Sequence, residues 1–212
     1  MDILCPKKEN KKIIMNWYTN IKFEYKTAQN DIYQQYADLA QQAKSIQIVG
    51  AGQDETISIP GTNSSITARD LLEKVKLQLT PILMENGVRV INTDPIPDAS
   101  AQGLAISHQP GEIHIDLRKI FENAKSALPP TIQFDGTQVD PDILTSVVNK
   151  ISSWLYNELV GTMAHESQHS HAFGEVAKQQ GDFSTVQEYP AEQYQKQIQQ
   201  RFQSPFARNL PY

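Results

Sequence analysis

His165 and His169 stand four residues apart, with Glu166 directly after the first, in Gly161-Thr162-Met163-Ala164-His165-Glu166-Ser167-Gln168-His169-Ser170-His171. This is an H-E-x-x-H pattern. On a helix, positions i and i+4 share a face one turn apart, so the two imidazoles can direct nitrogen lone pairs at a single Zn²⁺. Glu166 is rotated about 100° from His165 and falls beside such a metal rather than on it. There it can accept a proton from a zinc-bound water while that water attacks a carbonyl carbon. Only five histidines occur in the chain, and three lie between His165 and His171, which argues against a chance pattern.

Two histidines and a water leave zinc one protein ligand short of the usual catalytic set. Three candidates offer themselves. Glu192 lies in Tyr189-Pro190-Ala191-Glu192-Gln193, where the proline suggests the first turn of a last helix, and it is preferred. Glu175, just after Gly174, serves if the chain turns back there. His171 on a continuing helix points about 200° away from His169.

These groups need a scaffold, and the chain is long enough to bury one sizeable core: 212 residues, 39% of them hydrophobic, suggest a single domain, 1–212. A net charge of -5 without a basic stripe argues against nucleic acid as a partner. The single cysteine, Cys5, excludes an internal disulfide and a cysteine-rich zinc site. No apolar run approaches a membrane span, so no membrane partner is expected. The charged start Met1 to Lys12 lacks the apolar segment of a secretory signal, which suggests a cytoplasmic protein or one exported by a non-Sec route.

Taken in order, apolar residues at steps of three and four from Ile14 to Ala43 predict a long N-terminal helix, with residues 1–45 as an extension packed on the core. Strands are predicted at Ile46 to Val49 and Thr56 to Ile59. A helix capped by Thr67 runs toward Gly87, and a strand follows at Val88 to Ile91. Leu104 to Ser107 and Glu112 to Asp116 flank a Pro-Gly turn and predict a hairpin. A short helix spans Leu117 to Ala127. From Asp140-Pro141 a longer helix carries the histidine motif and is expected to stop at Gly174. Read unbroken to Phe173 it is about 50 Å long, which predicts a bend near Gly161 or a protruding first half. The last helix is expected from Pro190 to about Phe202.

His165-Glu166-Ser167-Gln168-His169, followed by a helix carrying a glutamate, resembles the thermolysin-like gluzincin branch of the zincin metallopeptidases. The order helix, strand, hairpin, active-site helix also fits, over roughly Thr67 to Phe202. The resemblance implies an α+β fold: one zincin-like domain with a small mixed or antiparallel sheet, the H-E-x-x-H helix and a C-terminal Glu-bearing helix. It also implies that an edge strand above the metal binds extended substrate. The metzincin pattern is absent, because Ala172 and Glu175 stand where that branch has glycine and its third histidine. The partner stabilising the oxyanion stays open among Tyr189, Tyr194 and His114. The expected function is a zinc metallopeptidase acting on a peptide or protein substrate, with His165, His169 and Glu192 as ligands and Glu166 catalytic. The alternative is a non-catalytic binding protein, in which zinc is structural or the motif vestigial.

Overall fold

A computed structural model describes residues 30–58, 65–98, 100–126 and 141–202. The part of the predicted N-terminal helix before residue 30, together with Cys5, lies outside the described residues, as do Ile59 and Ala127 at the ends of a predicted strand and helix. Contacts divide the chain into two units, Met1–Gln42 and Ala43–Tyr212, each described by itself. In the first, helix α1 is described from residue 30 and runs to residue 43, with Ile32, Tyr33 and Tyr36 exposed along it.

The second unit mixes helices with a small mixed sheet. Strands β1 (Gln47–Val49), β4 (Val90–Asn92), β6 (Glu112–Ile115) and β5 (Gly103–Ala105) form one sheet in the order β1-β4-β6-β5. β1, β4 and β6 are parallel, and β5 pairs antiparallel with β6 as the hairpin predicted. Among the described residues β5 is thereby an edge. A separate ribbon joins β2 (Thr56–Ser58) to β3 (Ser65–Thr67). The strand at β3 was not anticipated, being only three residues long and ending at the Thr67 cap.

Alternation decides which face of the sheet is covered. Ile48, Ile91 and Ile113 pair in register with Ala105, while Val49, Asn92, His114 and Leu104 form the neighbouring row on the opposite face. The isoleucine row meets the helices. Leu72, Val75, Leu79 and Leu83 of α2 (Ala68–Glu85), Ile120 and Phe121 of α3 (Leu117–Ser126), and Leu155, Leu159 and Met163 of α4 (Pro141–Lys178) join Ile91, Ile113 and Ile115 in one buried cluster. The Thr67 side chain caps α2 by accepting from the Asp70 N–H. No helix among the described residues is long and apolar enough to cross a membrane.

Helix α4 agrees with one expectation, a less embedded first half, and departs from the other, a stop at Gly174. It is continuous through Gly161, and no residue of 145–151 is buried whereas burial begins at Ser152, so its first part is the less embedded one. It does not stop at Gly174. A glycine inside a helix costs only about 1 kcal/mol, too little to end one that gains elsewhere. The stop comes at Gln180, in the left-handed region at φ 52°, where the Gly181 N–H reaches the Val176 carbonyl and the Gln180 N–H the Ala177 carbonyl. This is a Schellman arrangement whose left-handed position usually holds glycine. Gln180→Gly should therefore stabilise the fold by about 0.5–1 kcal/mol, read as a raised midpoint in chemical denaturation.

Candidate metal centre

Residues Leu155, Leu159, Val160, Met163 and Ala164 bury one side of α4 in the core, which turns His165 and His169 outward toward its rim. Helix α5 (Glu188–Arg201) lies beside them and carries the third group. Two features bring it close. A β-carbon placed on Gly161 would meet Gln199 Nε2 at 2.3 Å and Gln195 Nε2 at 2.9 Å, so the missing side chain admits these two residues of α5. The Gln199 amide also donates to the Asn157 carbonyl at 3.0 Å. Gln199 meeting Asn157 while Glu188 meets His169 means that α5 runs antiparallel to α4. Gly161→Leu should overpack this contact, lowering stability by about 1–3 kcal/mol and weakening metal binding with it. Thermal unfolding and a chelator competition titration would read the two effects.

The glutamate so delivered is Glu188. Its Oε1 lies 2.8 Å from His165 Nε2 and its Oε2 lies 3.0 Å from His169 Nε2, and the two Nε2 atoms are 3.2 Å apart. Ligands of a tetrahedral zinc at about 2.0–2.1 Å sit roughly 3.3–3.4 Å from one another, so these separations come within about half an ångström of a zinc shell. The donor set fits Zn²⁺. Burial pulls the His169 pKa down, against the raising effect of Glu188, and thus favours the neutral ring a metal ligand must be. One feature is less complete: His165 Nδ1 is buried and, among the described residues, has no hydrogen-bond partner, where a ligating histidine usually donates to an acceptor.

The structure does not bring Glu192 into this group. Helix α5 starts at Glu188 rather than Pro190, so Glu192 is its fifth residue, one turn further on and exposed. Glu175 stays within α4 and pairs with Lys178 at 2.7 Å. His171 also remains outside the cluster, whose members among the described residues are His165, His169 and Glu188. A signal for Glu188 was nevertheless present in the sequence. Proline is tolerated throughout the first helical turn and acidic residues favour it, so Glu188-Tyr189-Pro190 could have been read as the turn itself.

Glu166 does not join the ligands. It is buried at 7% exposure against β5, where Gly103 makes room for it: a β-carbon on Gly103 would meet Glu166 Oε1 and Thr162 Cγ2, each at 2.6 Å. The Ala105 N–H donates to its carboxylate. Burial first, and then the charge of Glu188, push its pKa up to about 8 despite that hydrogen bond. A perturbed carboxylate beside a cluster of potential ligands makes this the candidate functional site.

Glu166, the two histidines and Glu188 line a cavity of about 350 Å³ together with Gly103, Leu104 and Ala105 of β5. None of the three side chains considered for the oxyanion lines it. His114 sits on the sheet face opposite the isoleucine row, 3.1 Å from Glu112, and the Tyr194 hydroxyl accepts from Asn86 at 3.5 Å. Tyr189 follows Glu188 but is 66% exposed. Compared with family models, with curated proteins and with solved structures, the chain matches none.

Proposed function

We propose that the protein is a zinc-dependent peptidase of the zincin kind, in which His165, His169 and Glu188 would hold Zn²⁺ and Glu166 is the general base. One observation carries the reading. A single carboxylate, Glu188, reaches both histidines, while a second, Glu166, stands buried beside them without joining the group. This separates a ligand carboxylate from a proton-accepting one.

When bound, zinc polarises a carbonyl oxygen and brings the acidity of water near neutrality. The chain's own residues divide the remaining work. Glu166, which the charge of a bound cation would return to its carboxylate form, takes a proton from the water whose oxygen attacks the peptide carbon. It then passes that proton to the departing nitrogen as the carbon–nitrogen bond breaks. The Ala105 N–H on its carboxylate holds the base toward β5. Edge strand β5 can pair with an extended substrate backbone along the cavity. The alternative of a structural zinc is less well supported, since such sites are closed by four protein ligands and the described residues assemble three.

Elemental analysis of protein purified without added metal, followed by incubation of the zinc-loaded form with a diverse peptide library and mass spectrometry, tests the proposal. One equivalent of zinc and discrete cleavage products are expected. A protein that neither contains zinc nor takes it up on titration would overturn it.

A further inference from the structure

One ammonium holds together the chain that leads into β5. The Lys119 side chain, largely buried, leaves α3 and places its Nζ 2.9 Å from the Ile96 carbonyl oxygen and 3.0 Å from that of Ala101. It also donates to the Asp98 carbonyl. An ammonium has three N–H donors, so these three carbonyls of one connection use all of them. Asp116, buried, supplies the balancing charge at 3.4 Å. One of its carboxylate oxygens accepts from the Ile96 N–H at 2.9 Å, and the other accepts from the Lys119 N–H at 3.1 Å. The Asp116 N–H in turn donates to the Gln102 carbonyl at 2.8 Å.

Gly103 follows Gln102 directly and opens β5. Among the described residues this strand of three pairs with β6 alone, so its ladder fixes one side and the Lys119 contacts fix its entry. Glu166 lies against it: Gly103 leaves the space for its side chain, and the Ala105 N–H donates to its carboxylate. Without the ammonium, three carbonyl oxygens that now converge on one cation would face one another with no donor between them. The connection would open toward water, and β5 would lose its fixed entry. A displacement of about 1 Å, caused far from the reacting atoms, can cost about 10²-fold in rate.

Taking the peptidase reading as its basis, we propose that Lys119 is a positioning residue for the reaction: its ammonium fixes the entry to β5, and β5 fixes the seat of Glu166. Its own contacts are with Asp116 and the three carbonyls, so it acts through the strand and not on the reacting atoms. Lys119 also lines a cavity of about 370 Å³ with Gln102, Arg118 and Asn123, which gives a small ammonium a route to the same carbonyls.

The test compares Lys119→Met and Lys119→Ala with the unaltered full chain. Its first arm, hydrogen exchange of the Ala105 amide followed by NMR, needs neither metal nor turnover. Exchange should quicken about five- to tenfold in both variants, the worth of one hydrogen bond, while the Ile91 and Ile113 amides at the sheet centre keep their rates. In the second arm, zinc-loaded Lys119→Met should keep one equivalent of metal and lose about 10- to 100-fold in kcat per folded molecule. Propylammonium replaces the atoms that Lys119→Ala removes and should recover at least about tenfold of the loss. Tetramethylammonium carries the same charge without an N–H and should recover none. Unchanged Ala105 exchange, unchanged kcat, or equal rescue by the two ions overturns the proposal, as does a loss of activity that only tracks the unfolded fraction. If Lys119→Met does not fold, Lys119→Arg decides: it keeps the charge, but its planar fork does not direct three donors at these carbonyls, so full activity there overturns the proposal. A chain that binds zinc and cleaves nothing overturns the peptidase reading, and quickened Ala105 exchange in Lys119→Met then still supports the coupling of Lys119 to β5.

Discussion

Glu188→Ala should strip zinc from the protein while Glu192→Ala retains it. Glu188 supplies one oxygen at 2.8 Å to His165 and the other at 3.0 Å to His169, so it is the carboxylate placed to complete the shell. Removing groups that merely orient a ligand lowers metal affinity about 10- to 100-fold. Loss of a ligand itself should exceed that, and a drop of more than about 100-fold is expected in chelator competition. The fold should persist in both variants, because the Glu188 side chain is 64% exposed and its contribution to the first turn of α5 is worth at most about 1 kcal/mol. Glu192 lies one turn beyond Glu188, exposed and outside the cluster, and serves as the internal control. If Glu192→Ala loses zinc and Glu188→Ala keeps it, the ligand assignment is reversed.

Glu166→Gln should abolish peptide cleavage while leaving zinc in place. The amide keeps the shape and one acceptor oxygen for the Ala105 N–H, but it cannot take up a proton at neutral pH. Removal of a general base typically costs 10²- to 10⁴-fold in rate, which sets the expected loss in kcat/KM. Glu166 is outside the cluster of potential ligands, so metal content should match that of the unaltered chain. Stability should not fall either, since a neutral amide is less costly to bury than a carboxylate. The combination of intact zinc, intact fold and lost turnover separates catalysis from architecture. Turnover close to that of the unaltered chain, with zinc bound, would remove Glu166 from the mechanism.

Both experiments turn on distinctions of one helical turn, which is where reading the sequence and seeing the fold part company. The elements themselves were legible because each carries its cause locally. Thr67 with Asp70 is a cap, Leu72, Val75, Leu79 and Leu83 are a stripe, and two alternating runs about Pro110-Gly111 are a hairpin. The boundaries were not legible. Gly174 and Pro190 are strong punctuation in isolation, yet a glycine inside a helix and a proline in its first turn are both tolerated. Helix α4 runs on through Gly174 to Lys178, and α5 begins two residues before its proline.

What the sequence determined by itself was the pairing of His165 with His169 and the offset of Glu166, because 3.6 residues per turn places them in relation to one another before any tertiary contact forms. The tertiary structure alone decided which carboxylate meets them. That choice depends on how far α5 slides along α4, a packing in which Gln195 and Gln199 lie against the bare surface of Gly161. The same holds for Gly103, whose missing side chain seats Glu166 against the edge strand, and for Phe173 and Phe183, which meet edge to face from two different elements. Helical periodicity is a property of neighbours along the chain. The depth of a packed contact is a property of surfaces that meet only after folding.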